Sequence, residues 1–156
     1  MISVAYPGTF NPITNGHTDL IERALGIFDR VVLAIGTSSS KHPETELAGR
    51  IELCSRVLED YGDRVSVEGF NTLLVDYLTE RDIRFVLRGI RDLQDFEYEF
   101  QMCEMNKALA PQIEYLFLPT SKDVSFISST LVREIASFGG DIRPFVHPAV
   151  ADALMR

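Results

Sequence analysis

Three clusters in this 156-residue chain have the residue types and spacing to hold phosphates. In the first, Pro7-Gly8-Thr9-Phe10-Asn11-Pro12-Ile13 runs into Thr14-Asn15-Gly16-His17. Gly8 lets a backbone come close to a ligand, and Thr9 adds a hydroxyl and an N–H. His17 falls in the first turn of the helix that follows. Unpaired N–H groups and the positive end of the macrodipole favour an anion there. A histidine in that turn can donate to a phosphate oxygen, or it can serve as a cap. The second cluster is Arg88-Gly89-Ile90-Arg91. Guanidinium forks match pairs of phosphate oxygens, although Asp92 and Asp95 are near enough in sequence to bridge to these arginines instead. The third is Ser128-Ser129-Thr130, where hydroxyls at a helix start cap it and bind phosphate. Capping accounts for one serine better than for all three residues. Lys41, in the loop Ser38-Ser39-Ser40-Lys41-His42-Pro43, is either a solubilising charge or a flexible ammonium able to follow a shifting charge.

None of these clusters pairs a protein nucleophile with a base. There is no Ser–His–Asp arrangement, and Cys54 and Cys103 lie outside every cluster and outside any metal-ligand spacing. Both cysteines read as small apolar residues of helices. The chemistry that remains is positioning and charge stabilisation on a phosphoryl group.

Short β-rich runs alternating with helical patterns must position these clusters. Strands are expected at Ile2–Tyr6, Val31–Ile35, Arg64–Val67, Phe85–Leu87 and Ile113–Leu118. Helices are expected at Gly16–Phe28, Leu47–Leu58, Leu73–Thr79, Asp92–Leu109, Ser128–Phe138 and Ala149–Met155. That alternation implies an α/β fold: a Rossmann-like, doubly wound sheet of about five parallel strands with helices on both faces, in one domain spanning 1–156. Gly8, Pro12, Ser38–Ser40, Gly89 and Thr120–Asp123 all follow strands. Their polar punctuation therefore gathers at the carboxyl edge, where open α/β sheets bind ligands.

The net charge of −8 opposes binding to nucleic acid or anionic membranes, so any phosphate site must be a local cluster of cations and N–H donors. No apolar run reaches the ~18 residues that span a bilayer. The N-terminus has no basic region ahead of its apolar strand, so a cytoplasmic location is expected.

The string Tyr6-Pro7-Gly8-Thr9-Phe10 … Pro12-Ile13-Thr14-Asn15-Gly16-His17 contains the T/HxGH signature of nucleotidyltransferases and resembles the phosphopantetheine adenylyltransferase family. Leu87-Arg88-Gly89-Ile90-Arg91 … Asp95-Phe96-Glu97-Tyr98-Glu99 is similar to that family's RGxR…DFEYE block. Ile127-Ser128-Ser129-Thr130-Leu131-Val132-Arg133 is similar to its ISSxxVR motif, related to the KMSKS-type loop of class I aminoacyl-tRNA synthetases. The resemblance runs from Val4 to Met155, with Asn11 where members commonly carry Asp and Val124 where many carry Trp.

This resemblance implies transfer of AMP from ATP to 4′-phosphopantetheine, giving dephospho-CoA and pyrophosphate in coenzyme A biosynthesis. It implies His17, Lys41, Thr9 and Arg91 as catalytic groups. It implies an ATP site from Thr9, Phe10, His17, Gly89, Ile90, Arg91, Glu99, Val124, Ser125, Phe126, Ile127, Ser128, Ser129 and Thr130, with the Ser128 and Ser129 side chains on phosphates. Thr9, Lys41, Leu74 and Arg88 would meet the pantetheine substrate. Mg²⁺ would travel with ATP rather than occupy a protein metal site. A homohexamer and feedback inhibition by CoA are further implications. The rival readings are another TxGH transferase, acting on nicotinate mononucleotide or glycerol 3-phosphate, and a flavodoxin-like receiver or binding module. The latter would need carboxylates at the first strand end, where this chain has Gly8-Thr9-Phe10-Asn11.

Overall fold

The structure is a computed structural model that describes residues 1–37 and 43–155. Five parallel strands form one sheet in the order β3-β2-β1-β4-β5. They are β1 (Ser3–Gly8), β2 (Arg30–Gly36), β3 (Val65–Phe70), β4 (Phe85–Ile90) and β5 (Glu114–Pro119). The helices are α1 (Asn15–Ala24), α2 (Pro43–Val57), α3 (Leu74–Glu80), α4 (Leu93–Leu109), α5 (Ser129–Ser137) and α6 (Pro148–Leu154). A 3-10 segment at Glu59–Arg64, not anticipated from sequence, joins α2 to β3.

Side-chain alternation along the strands sends residues to two cores, one on each face of the sheet. Val4, Tyr6, Val31, Leu33, Ile35 and Leu87 pack under Leu20, Ile21, Ala24, Cys54, Leu58, Val132 and Val150. Ala5, Val32, Ala34 and Val86 face the other way, onto Val75, Tyr77, Leu78 and Ile113. Burial on both faces is why the strands read as unbroken apolar runs. The arrangement is the expected Rossmann-like doubly wound α/β sheet. Among the described residues no helix is long and apolar enough to cross a membrane.

Element ends differ from the sequence expectation where tertiary contacts intervene. Helix α1 stops at Ala24 rather than Phe28, and the carbonyl of Leu25 accepts from the Arg64 guanidinium at 2.6 Å. Strand β3 continues through Gly69 to Phe70, beyond the expected end at Val67. A Cβ on Gly69 would sit 2.7 Å from Ile51 Cδ1 and 3.1 Å from Leu47 Cδ2, so a bare backbone is what lets α2 lie on the strand. Strand β4 runs on to Ile90, so Arg88 and Gly89 belong to the strand instead of following it.

The site is positioned by one irregularity. Neighbouring strand pairs β1–β2, β2–β3 and β4–β5 each match six residues, whereas β1 and β4 match only at Val4–Phe85 and Ala5–Val86. Chain direction across the sheet reverses between these two strands. Their carboxyl ends therefore part and leave a crevice, as expected at a topological switch point.

Candidate active site

A cavity of about 300 Å³ opens in that crevice. Its walls come from the end of β1, the start of α1, the end of β4, the first turns of α4 and the start of α5.

The β1–α1 turn is held by packing and capping. Phe10 adopts φ 47°, a left-handed conformation uncommon for a bulky residue. Its ring is 3% exposed and meets Tyr6 and His17 edge-on at centroid distances of 5.2 and 4.8 Å. Gly8 makes room for it, because a Cβ there would lie 3.0 Å from Phe10 Cε2. With its ring in the core, Phe10 can offer the cavity little beyond its backbone. Thr14 is the N-cap of α1 and His17 its third residue. The Thr14 N–H donates to His17 Nδ1 at 2.9 Å, so Nδ1 is an acceptor and the ring proton sits on Nε2. Burial, then Arg88 and Arg91, lower the His17 pKa from 6.5 to about 4. His17 thus serves both as a cap, through Nδ1, and as a neutral Nε2–H donor lining the cavity.

On the opposite wall, Arg88 Nε and Nη2 donate to the two Glu99 carboxylate oxygens at 2.8 and 2.7 Å. Arg88 Nη1 also donates to the Pro7 carbonyl, bridging the gap between β4 and β1. Burial works against the Arg88 charge, but the Glu99 hydrogen bonds and charge outweigh it and raise its pKa above the ordinary value. Glu99 is 4% exposed. The Arg88 partner is therefore Glu99, one helical turn beyond Asp95 and two beyond Asp92, the carboxylates considered from sequence. Asp92 instead caps α4 by accepting from the Asp95 N–H. Arg91 makes only a loose 3.6 Å pair with Asp95, which leaves much of its fork open to the cavity.

The third wall is the N-terminus of α5. Ser128 Oγ accepts from the Leu131 N–H as N-cap. Ser129 Oγ donates to the Pro12 carbonyl at 2.8 Å, and Arg133 donates to the Asn11 carbonyl. The Ser129 proton is thus engaged within the protein, which differs from the expectation that this hydroxyl sits directly on phosphate, whereas Ser128 only accepts and keeps its proton. The Ser128 proton and the first N–H groups of α5 remain to meet an anion.

The structure brings Thr9, Phe10, His17, Arg88, Gly89, Arg91, Glu99, Val124, Ile127, Ser128, Ser129 and Thr130 to this cavity. Ile90 ends β4 outside the lining. Ser125 donates to the Lys122 carbonyl, and Phe126 is 65% exposed, edge-on to Phe145. Leu74 opens α3 on the other face of the sheet, against the second core. Lys41 lies outside the described residues. The Asn11 side chain is exposed and makes no hydrogen bond among the described residues, so replacing a carboxylate there removes no contact seen here. Tyr6 also lines the cavity without having been given a role from sequence, and so does Thr120, which the sequence placed only among the polar residues of the carboxyl edge. Strand parity could have found Tyr6, since it shares a side with Gly8. Burial raises its pKa to about 12.

Among the described residues no three His, Cys, Asp or Glu side chains gather to hold a metal. Of the carboxylates lining the cavity, Asp95 accepts from Arg91 and Glu99 from Arg88. The walls present cations and N–H donors around a space in which, among the described residues, no protein nucleophile is paired with a base, which suits direct transfer between bound phosphates.

Residues 5–135 match the family model described as cytidylyltransferase-like. The chain is 49% identical over 156 residues to a phosphopantetheine adenylyltransferase of Hahella chejuensis (strain KCTC 2396), covering all of this chain and 96% of that one. In fold it is similar to a crystal structure from Vibrio parahaemolyticus described as that of a nicotinate-nucleotide adenylyltransferase. The TM-score is 0.73 and the identity 22%, with 99% of this chain and 93% of that chain covered.

Proposed function

The chain belongs to the phosphopantetheine adenylyltransferase family and carries the cytidylyltransferase-like domain, and we infer that its cavity moves AMP from ATP to 4′-phosphopantetheine, with pyrophosphate as the second product. The product on the acceptor is dephospho-CoA, an intermediate of coenzyme A biosynthesis. The whole chain acts as one nucleotidyltransferase domain.

The observation that carries the mechanism is His17. Its Nδ1 is fixed by the Thr14 N–H, and its Nε2–H is left for the cavity. The acceptor is a phosphate monoester, already anionic and nucleophilic, so no general base is required. One of its oxygens attacks the α-phosphorus of ATP, a new P–O bond forms, and the bond to the β-phosphate bridging oxygen breaks. Negative charge grows on the non-bridging oxygens of the α-phosphate as the five-coordinate state is approached. His17 Nε2–H is the donor for that charge, with Thr9 and Lys41 assisting. Arg91 and the N-terminus of α5, where Ser129 sits, take the β- and γ-phosphates as pyrophosphate departs. Arg88, steadied by Glu99, faces the acceptor; Leu74 lies outside this cavity and is assigned to the pantetheine arm on the family resemblance alone. ATP enters as its Mg²⁺ complex. Of the two wall carboxylates, Glu99 is held by the Arg88 guanidinium and Asp95 accepts from the Arg91 backbone N–H, which supports metal carried by substrate over a protein-held ion.

The protein is further proposed to be a cytoplasmic homohexamer inhibited by CoA. Helix α4 leaves Leu93, Tyr98, Phe100, Met105 and Leu109 46–74% exposed, an apolar surface that supports self-association. Light scattering at micromolar concentration tests the assembly, and a monomeric mass would remove it. The test of function is pyrophosphate release from MgATP with 4′-phosphopantetheine, nicotinate mononucleotide and glycerol 3-phosphate offered separately. Turnover is expected with the first alone. Turnover with either of the others would keep the nucleotide site but overturn the acceptor.

A further inference from the structure

Arg50 has no role in the scheme above, and its setting is unusual. It sits on α2, yet its side chain reaches the carboxyl edge of the sheet with 8% of the residue exposed. One nitrogen, Nη1, donates to the Thr9 carbonyl at 2.6 Å and to the Gly36 carbonyl at 2.9 Å. The β1–β2 ladder ends at Gly8–Ile35, so Thr9 and Gly36 are the next pair beyond it. Arg50 thus bonds both strands at the point where they stop bonding each other. Nε and Nη2 are buried as well, without partners among the described residues. Burial lowers the pKa of this guanidinium, the expected cost of placing a cation here.

The bond to Thr9 has a consequence across the peptide plane. In a trans peptide the carbonyl of one residue and the N–H of the next point in opposite directions. Holding the Thr9 oxygen toward Arg50 turns the Phe10 N–H away from it. That same peptide enters Phe10, whose left-handed φ of 47° needs outside support. Thr9 and Phe10 both line the cavity. The bond to Gly36 fixes the other end, where the chain leaves β2 toward Lys41.

We propose that Arg50 is a positioning residue for adenylyl transfer, clamping the Thr9 and Gly36 carbonyls so that the Thr9–Phe10 peptide presents its N–H to the reacting phosphate. The inference rests on the adenylyl-transfer reading. A donor shifted by about 1 Å costs on the order of 100-fold in rate. The loss falls on kcat, because the charge this donor meets grows only in the transition state.

The test is steady-state kinetics of the full chain with MgATP and 4′-phosphopantetheine, per folded site counted by ATP binding. Arg50→Met is expected to lower kcat roughly 30- to 100-fold with KM for ATP within about threefold. Arg50→Lys keeps a buried cation that can reach one of the two carbonyls but not both, so kcat is expected to lie about three- to tenfold below the parent, a partial recovery. A purely structural role would lower the folded fraction and melting temperature but leave kcat per folded site unchanged. Parental kcat in folded Arg50→Met overturns the proposal. If that variant does not fold, parental kcat in Arg50→Lys overturns it, and a several-fold loss with KM unchanged supports it. An inactive parent would instead refute the adenylyl-transfer reading.

Discussion

Replacing His17 separates its two roles. In His17→Ala the Thr14 N–H loses its acceptor, a bond of 2.9 Å at the first turn of α1. Loss of a helix cap costs about 1 kcal/mol. The cavity loses the Nε2–H donor as well. One donor to a developing oxyanion is worth about 3–4 kcal/mol, or roughly 100- to 1,000-fold in kcat. His17→Gln is the discriminating control, because glutamine at this position of a capping box accepts from the N-cap N–H. It is expected to recover the stability but not the rate. The pH dependence follows from the lowered pKa of about 4. At pH 7 only about one molecule in a thousand carries the imidazolium, so the donor proposed here is a neutral ring. The kcat profile is expected to show no His17 limb between about pH 5.5 and 8. Stability behaves differently. Between about 4 and 6.5 the unfolded chain binds a proton that the folded chain refuses, so stability is full above the unfolded pKa and falls as pH drops through that window. The shift corresponds to about 3 kcal/mol at most. His17→Gln is expected to lack this slope in urea unfolding at pH 7 and pH 4.5. Assays are single-turnover AMP transfer and ATP binding, the latter staying within about tenfold of the parent. Unchanged kcat in His17→Ala would remove this residue from the transition state. A kcat limb near pH 6.5 that disappears in the variant would mean that the charged ring is the working form.

Other perturbations follow from the same geometry. Arg88→Ala strands the buried Glu99 carboxylate, so urea unfolding is expected to show a loss of about 3–5 kcal/mol. In the folded fraction, KM for phosphopantetheine should rise more than KM for ATP; the reverse would mean that the two pockets are assigned the wrong way round. Ser129→Ala breaks the link to Pro12 and is expected to cost about 1 kcal/mol of stability with less than tenfold in kcat, a larger kinetic loss placing its hydroxyl on phosphate instead. Chelating Mg²⁺ with EDTA is expected to stop turnover and leave the melting temperature of the ligand-free protein unchanged, whereas a large drop would reveal a structural ion.

The parts of this protein that the sequence determined are those encoded over a few residues. Periodicity separated strands from helices because strand residues alternate faces and helical ones recur every third or fourth place. The Thr14-to-His17 cap joins residues three apart, so both candidate roles of His17 were legible; the cap is formed through Nδ1, and Nε2 is left over for the proposed phosphate contact. The likeness of motifs to a family named the chemistry before any distance was known. What remained hidden was set by chain crossings. The end of β4 and the reach of β3 through Gly69 depended on what α2 and β5 lay against. Arg88 chose Glu99, eleven residues away, over nearer carboxylates because α4 carries Glu99 back over the strand and buries it. Ser129 met Pro12 across 117 residues, and Arg50 met Thr9 across 41. No local pattern encodes such meetings. They exist because β1 and β4 part at the point where the sheet reverses direction, and each polar group exposed by that parting must find a partner or a ligand.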